Sequence, residues 1–65
     1  MIKGNPVLRR REAAAYVGMS TSLLLLVRRE DPTFPEAIKI TETLIGWRQA
    51  DLDVWLDARP KVQAS

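Results

Sequence analysis

Two clusters of side chains in this 65-residue chain carry more chemistry than a packed core needs. The first is Arg9-Arg10-Arg11. The second opens with Ser20-Thr21-Ser22, continues through four consecutive leucines (Leu23 to Leu26) and closes with Arg28-Arg29. Guanidinium groups fork onto phosphates and guanine edges, hydroxyls bond to bases or phosphates, and apolar side chains pack on the methyl group of thymine. Together these are groups that meet duplex DNA. The chain has no histidine and no cysteine, which removes the commonest general base, the commonest metal ligand and any thiolate nucleophile. It also has no nucleophile–base pair, glycine-rich phosphate loop or metal-ligand constellation. No enzymatic activity, cofactor or metal is expected.

The charge is unevenly spread. Residues 1–29 carry six bases against one acid, a net +5, and residues 30–65 carry four bases against seven acids, a net −3. A basic half turned toward a polyanion accounts for this, and so does an unevenly charged solvated surface. The arginine run points to the first of these. It falls at the start of a helix, where three positive charges oppose the helix dipole and a phosphate would relieve them. The N-terminal stretch lacks the apolar core of a signal peptide. The longest apolar run, Leu23 to Val27, is far below the roughly 20 residues of a membrane span. The expectation is one cytoplasmic domain with no membrane contact.

The elements that hold these clusters can be read in order. Residues 1–7, with Gly4 and Pro6, read as a flexible arm, residues 8–59 as the domain, and residues 60–65 as a tail. Arg9 suits the N-cap of a first helix, with Glu12 in its first turn and Leu8 stapled to Ala13. Ala13, Ala14 and Val17 form its buried stripe and Gly18 ends it. Ser20 caps a second helix almost at once, with Met19 stapled to Leu24, and Pro32 ends it near Asp31. Two short helices joined this tightly make a helix-turn-helix. "AIKI" and "LIGW", separated by "TET", read as a hairpin. "RQADLDVWLDAR" is an amphipathic third helix, with Leu52, Trp55 and Leu56 on one side and Asp51, Asp53 and Asp57 elsewhere. The fold class is therefore mainly α with a small β-hairpin, a winged helix-turn-helix. Leu24, Val27, Ile38, Trp47, Leu52, Trp55 and Leu56 should share its core, with Phe34 also inside.

Winding the second helix at about 100° per residue puts Leu23, Leu24 and Val27 on the core stripe. Ser22, Leu25, Leu26 and Arg29 fall on the far side, with Thr21 and Arg28 near its edge. Two leucines should then point outward, which calls for something to cover them. A major groove does so, because the second helix of a helix-turn-helix meets base edges there. A protein partner docking on Leu25 and Leu26 would do so too, and a small protein-interaction module or inhibitor is the alternative reading.

"EAAAYVGMSTSLLLLVRREDPTFPEAIKI" followed by "IGWRQADLDVWL" resembles the AlpA family of phage-type regulators and the related small excisionases with a MerR-like winged helix-turn-helix. The resemblance covers residues 8–58, and its most specific parts are Gly18-Met19-Ser20, "DPTFP" and "GWRQADLDVWL". It implies a sequence-specific double-stranded DNA-binding protein of phage or mobile-element origin. Such a protein acts as an excisionase (a recombination directionality factor), a transcriptional regulator, or both, with an integrase of the tyrosine-recombinase type as a further partner of an excisionase. Carried onto this chain, the recognition-helix residues are Ser20, Thr21, Ser22, Leu25, Leu26 and Arg29, with Arg28 either at the groove edge or shielding the core. Phosphate contacts fall to Arg9, Arg10, Arg11, Lys39, Thr41, Thr43 and Arg48. The chain departs from the family in two places. Leucines stand at 25 and 26 where relatives carry polar or aromatic residues, which shifts base reading toward shape and methyl contacts. The wing tip is Thr41-Glu42-Thr43, and Glu42 opposes phosphate.

One module of this size covers toward the low end of roughly 600–1,000 Å² on DNA. No heptad or long helix offers a dimer seam. The expectation is a monomer that self-associates on adjacent DNA sites, the acidic half of one copy against the basic half of the next.

Overall fold

The computed structural model describes residues 6–62. The order is β1 (Val7–Arg9), α1 (Arg10–Val17), α2 (Thr21–Glu30), β2 (Ile38–Lys39), β3 (Ile45–Arg48) and α3 (Gln49–Asp57). This is a winged helix-turn-helix, mainly helical with a small antiparallel sheet.

Each helix starts and stops for a local reason. At the head of α1 the Arg9 N–H donates to the Glu12 carboxylate at 2.9 Å, satisfying one donor that the helix cannot. At its end Gly18 turns left-handed (φ 82°). There the Met19 N–H reaches the Ala14 carbonyl at 2.9 Å and the Gly18 N–H reaches Ala15 at 3.2 Å, the paired bonds of a Schellman stop. The Ser20 hydroxyl oxygen then accepts from the Leu23 N–H at 3.1 Å, so α2 begins two residues after α1 has closed. This brevity fixes the angle between the two helices.

The sheet has three strands in the order β1-β3-β2, all antiparallel. The first strand corrects the reading of residues 1–7 as a flexible arm. Val7 pairs with Arg48, Leu8 with Trp47 and Arg9 with Gly46, and the Pro6 carbonyl accepts from the Gln49 N–H at 2.9 Å. The rest of that arm, residues 1–5, lies outside the described residues, as does the end of the tail. β3 needs a partner on each side, and the chain entering α1 supplies the second. The hairpin is also shorter than "AIKI" and "LIGW" suggest, with Ile40 and Leu44 already in the turn.

Register explains a second correction, that Ile38 stays out of the core. Successive strand residues face opposite sides. Trp47 and Ile45 face the helices, so Gly46 faces away, and Ile38 pairs with Gly46. A Cβ at Gly46 would lie 2.8 Å from the Leu8 carbonyl oxygen and 2.9 Å from a Val7 methyl, so only glycine lets β1 come this close.

The core is Ala13, Ala14, Leu24, Phe34, Trp47, Leu52 and Trp55, with Leu8, Val17, Met19, Val27, Ala37, Ile45 and Leu56 packed on it. The staple pairs Leu8–Ala13 and Met19–Leu24 therefore meet in one cluster. Phe34 stands edge-on to both indoles, with ring centroids 6.1 Å from Trp47 and 4.9 Å from Trp55. The Trp47 Nε1–H donates to the Pro35 carbonyl at 3.1 Å. Outside the core, the Tyr16 hydroxyl donates to Asp53 at 2.5 Å and ties α1 to α3. That bond raises the Tyr16 pKa and gives one of the three acids of α3 a structural partner.

Asp31 holds the far end of the domain together. Its Oδ1 accepts from the Thr33 N–H at 2.8 Å and from the Thr33 hydroxyl at 2.6 Å. Its Oδ2 accepts from Arg59 at 2.8 Å and from the Trp55 Nε1–H at 3.4 Å. These bonds, those from Thr33 foremost, hold its pKa below the ordinary 3.8 against the opposing effect of desolvation. A carboxyl whose folded pKa is depressed stabilises the fold above its unfolded value and loses that contribution as pH falls through the folded value. Asp31→Asn should therefore melt lower than wild type at neutral pH, with the gap closing below pH 3.8. Thermal melts along a pH series check this, and a gap that stays constant into acid would deny the carboxylate its role.

Candidate nucleic-acid interface

Strand β1 delivers the arginine run to a specific place. Because Arg9 pairs with Gly46, the first turn of α1 lies against the root of the wing. The tight turn at Gly18–Ser20 brings the first residue of α2 to the same spot. The result is an open cleft of about 710 Å³ lined by Arg9, Arg10, Arg11, Glu12, Thr21, Leu44 and Ile45. Three guanidinium groups and a threonine hydroxyl thus converge at the N-terminus of one helix and the entrance of the next. The aligned backbone N–H groups of these two ends add positive potential. Glu12 is the only acid in the lining, and its carboxylate is already bonded to the Arg9 N–H. The lining of the cleft is therefore net positive.

The side chains of α2 divide as follows. Leu24 is buried, Val27, Thr21 and Leu25 are half-buried, and Ser22, Leu23, Leu26, Arg28 and Arg29 are exposed. Leu26 stands outward as expected, with 44 % of its surface exposed, but Leu23 is equally exposed and Leu25 is partly covered. The buried stripe is thus rotated by about one residue from the winding of the sequence, away from Leu23 and toward Leu25 and Thr21. The Arg28 guanidinium lies 5.8 Å from the centre of the Trp47 ring, so its stem covers the indole while its charge stays in solvent. Arg29 bonds through Nε to Glu30 at 3.3 Å. Ser20 spends its hydroxyl oxygen on the helix cap.

The remaining residues lie on the sheet. Lys39 sits on β2 and reaches Glu42 at 3.4 Å, which partly neutralises the acid at the wing tip. Thr41 accepts from the Thr43 N–H at 3.3 Å and stiffens the turn. Arg48 sits at the other end of β3, at the head of α3, opposite Val7, and does not line the cleft. Glu12, Leu44 and Ile45 belong to the cleft without having been singled out in the sequence. Glu12 signalled only a helix start, and the wing root could not be placed without β1. Among the described residues, no cluster of His, Cys, Asp or Glu could hold a metal, and no helix is long and apolar enough to cross a membrane.

This arrangement of cleft, outward α2 face and wing can be compared with known families. Residues 6–60 match the family described as Prophage CP4-57 regulatory protein (AlpA). The chain belongs to the AlpA family. It is a phage-type regulatory DNA-binding protein. Comparisons with curated proteins and with solved structures return no match. In an AlpA protein with this cleft, phosphate is the anion that the arginines should meet. Arg10→Ala with Arg11→Ala should weaken binding about equally on all DNA sequences. The slope of log K against log salt should fall by up to about two units, since each phosphate contact contributes about 0.9. An affinity loss with an unchanged slope would take the two arginines off phosphate.

Proposed function

We propose that this AlpA protein binds double-stranded DNA sequence-specifically, with α2 in the major groove and the Arg9–Arg11 cleft on the adjoining phosphates. The convergence of the three arginines with Thr21 at the entrance of α2 is the observation that carries the reading. A groove-bound helix needs phosphate contacts beside it to fix its register, and the cleft adjoins the exposed face that holds Ser22, Leu26 and Arg29. Lys39, Thr41 and Thr43 take backbone contacts from the wing, and Arg48 takes one at the head of α3. Glu42 keeps the wing tip out of the minor groove. Bound near a phage attachment site, the protein directs an integrase of the tyrosine-recombinase type toward excision. Bound at a promoter, it regulates transcription. Titration of the full chain with random-sequence duplex tests the DNA reading. Steeply salt-dependent binding is expected. Binding that is absent at low salt would instead favour a protein-interaction module docking through Leu25 and Leu26. A footprint across the attachment site and neighbouring promoters separates the two roles.

Self-association on DNA belongs to the same proposal. A single domain of this size offers little groove surface, and beyond the wing and Arg48 the second half presents the acids Asp51, Asp53 and Asp57 of α3. Neighbouring copies meet head to tail, acidic half to basic half, in a contact that does not close on itself. Sedimentation of the free protein should give a monomer, and duplexes with one, two and three sites should fill cooperatively. A tight dimer without DNA, or independent filling of adjacent sites, would overturn this.

A further inference from the structure

The outward face of α2 is unusually poor in groups that can bond to a base edge. The helix contains no asparagine, glutamine, lysine or histidine. Of its two long donors, Arg28 lies over the Trp47 ring, and Arg29 is exposed with Nε bonded to its neighbour Glu30. The Ser20 hydroxyl oxygen accepts from the cap. The other side chains that face outward next to the cationic cleft are Ser22, Leu25 and Leu26. Starting at Thr21, which lines the cleft, and turning away from the core, roughly 100° per residue places Leu25, Arg29, Ser22 and Leu26 in that order. Leu26 is exposed at 44 %, and so is Leu23.

A face with two leucines around one hydroxyl has a single apolar target in the major groove, the 5-methyl group of thymine. Resting on the DNA-binding reading above, we propose that α2 recognises its sites chiefly through thymine methyl groups packed against Leu26 and Leu25, with Ser22 between them. The substrate class is therefore duplex DNA with adjacent thymines in the major groove facing α2. The neighbouring cleft supplies the charge complementarity that brings DNA to this face, and the leucines select the sequence.

The test changes only the DNA. Binding sites selected by the full-length chain from a random library should share closely spaced thymines. Deoxyuridine in place of each thymine keeps every hydrogen bond and removes only the methyl. At contacted positions it should weaken binding about fourfold, the equivalent of burying one methyl-sized group. Elsewhere it should have no effect. Leu26→Ala should abolish the thymine-over-uracil preference at one position and leave the salt slope unchanged. Selected sites without shared thymines, or uracil sites bound as tightly as thymine sites, would overturn the inference while leaving salt-dependent DNA binding intact. Failure to bind any duplex would overturn both this inference and the reading on which it rests.

Discussion

The indole of Trp47 is fully buried at the point where the sheet, the loop after α2 and all three helices meet. Its backbone pairs with Leu8 on β1, its N–H holds the Pro35 carbonyl, and its ring is met edge-on by Phe34. Arg28 covers it from α2, and Leu52 packs with it from α3. Loss of a buried indole costs about 3–5 kcal/mol, which is roughly all that the core of so short a chain supplies. From α2, Leu24 shares the same buried cluster and Arg28 lies over the ring, while Leu25 is partly covered and Leu23 is left exposed.

The sheet carries the second constraint. A two-stranded wing would leave one edge of β3 open, and an isolated hairpin is marginal in water. Closing that edge with β1 adds a strand of only three residues. It also anchors the start of α1 beside the wing root, which is what gathers Arg9, Arg10 and Arg11 into the cleft. The gathering opposes stability, because three positive charges stand at the positive end of α1 with Glu12 alone to offset them. Groups placed against the local electrostatic preference are expected where function requires them. The acids of α3 are less uniform, since Asp53 accepts from Tyr16 and so belongs to the scaffold as well as to the solvated face.

Much of this was legible in the sequence because short-range chemistry fixes it. The Ser20 cap, the Gly18 stop, the two staples and the break at Pro32 each involve residues within a few positions of one another, and the first two helices fall where they put them. The AlpA resemblance added the order of the elements. What could not be read was long-range pairing. Val7–Arg9 carries too few residues to show an alternating pattern, so β1 emerges only once Gly46 is seen to leave room for it. Ile38 looks like a core residue until its register against Gly46 turns it outward. An ideal helical wheel put Leu23 inside, whereas the packed helix turns Thr21 and Leu25 partly inward and leaves Leu23 exposed. The arginine run stood out in the sequence as a candidate for phosphate contact, but its companions in the cleft, Leu44 and Ile45, depend on the same unseen strand.

The energetics of the α2 face bear on how such a domain attains specificity. A bidentate side-chain contact to a base discriminates by about 1–3 kcal/mol, whereas a methyl packed on leucine contributes about 0.8 kcal/mol. A face built from Leu25, Leu26 and Ser22 therefore separates sites weakly, while the cleft beside it attracts every sequence equally. A single copy would spend much of its time on the wrong DNA. Selectivity multiplies when adjacent copies must each find an acceptable step, because the discrimination of neighbouring sites adds in free energy once the copies touch. A weak reader with strong, sequence-blind phosphate contacts is thus suited to covering a stretch of DNA rather than marking a point.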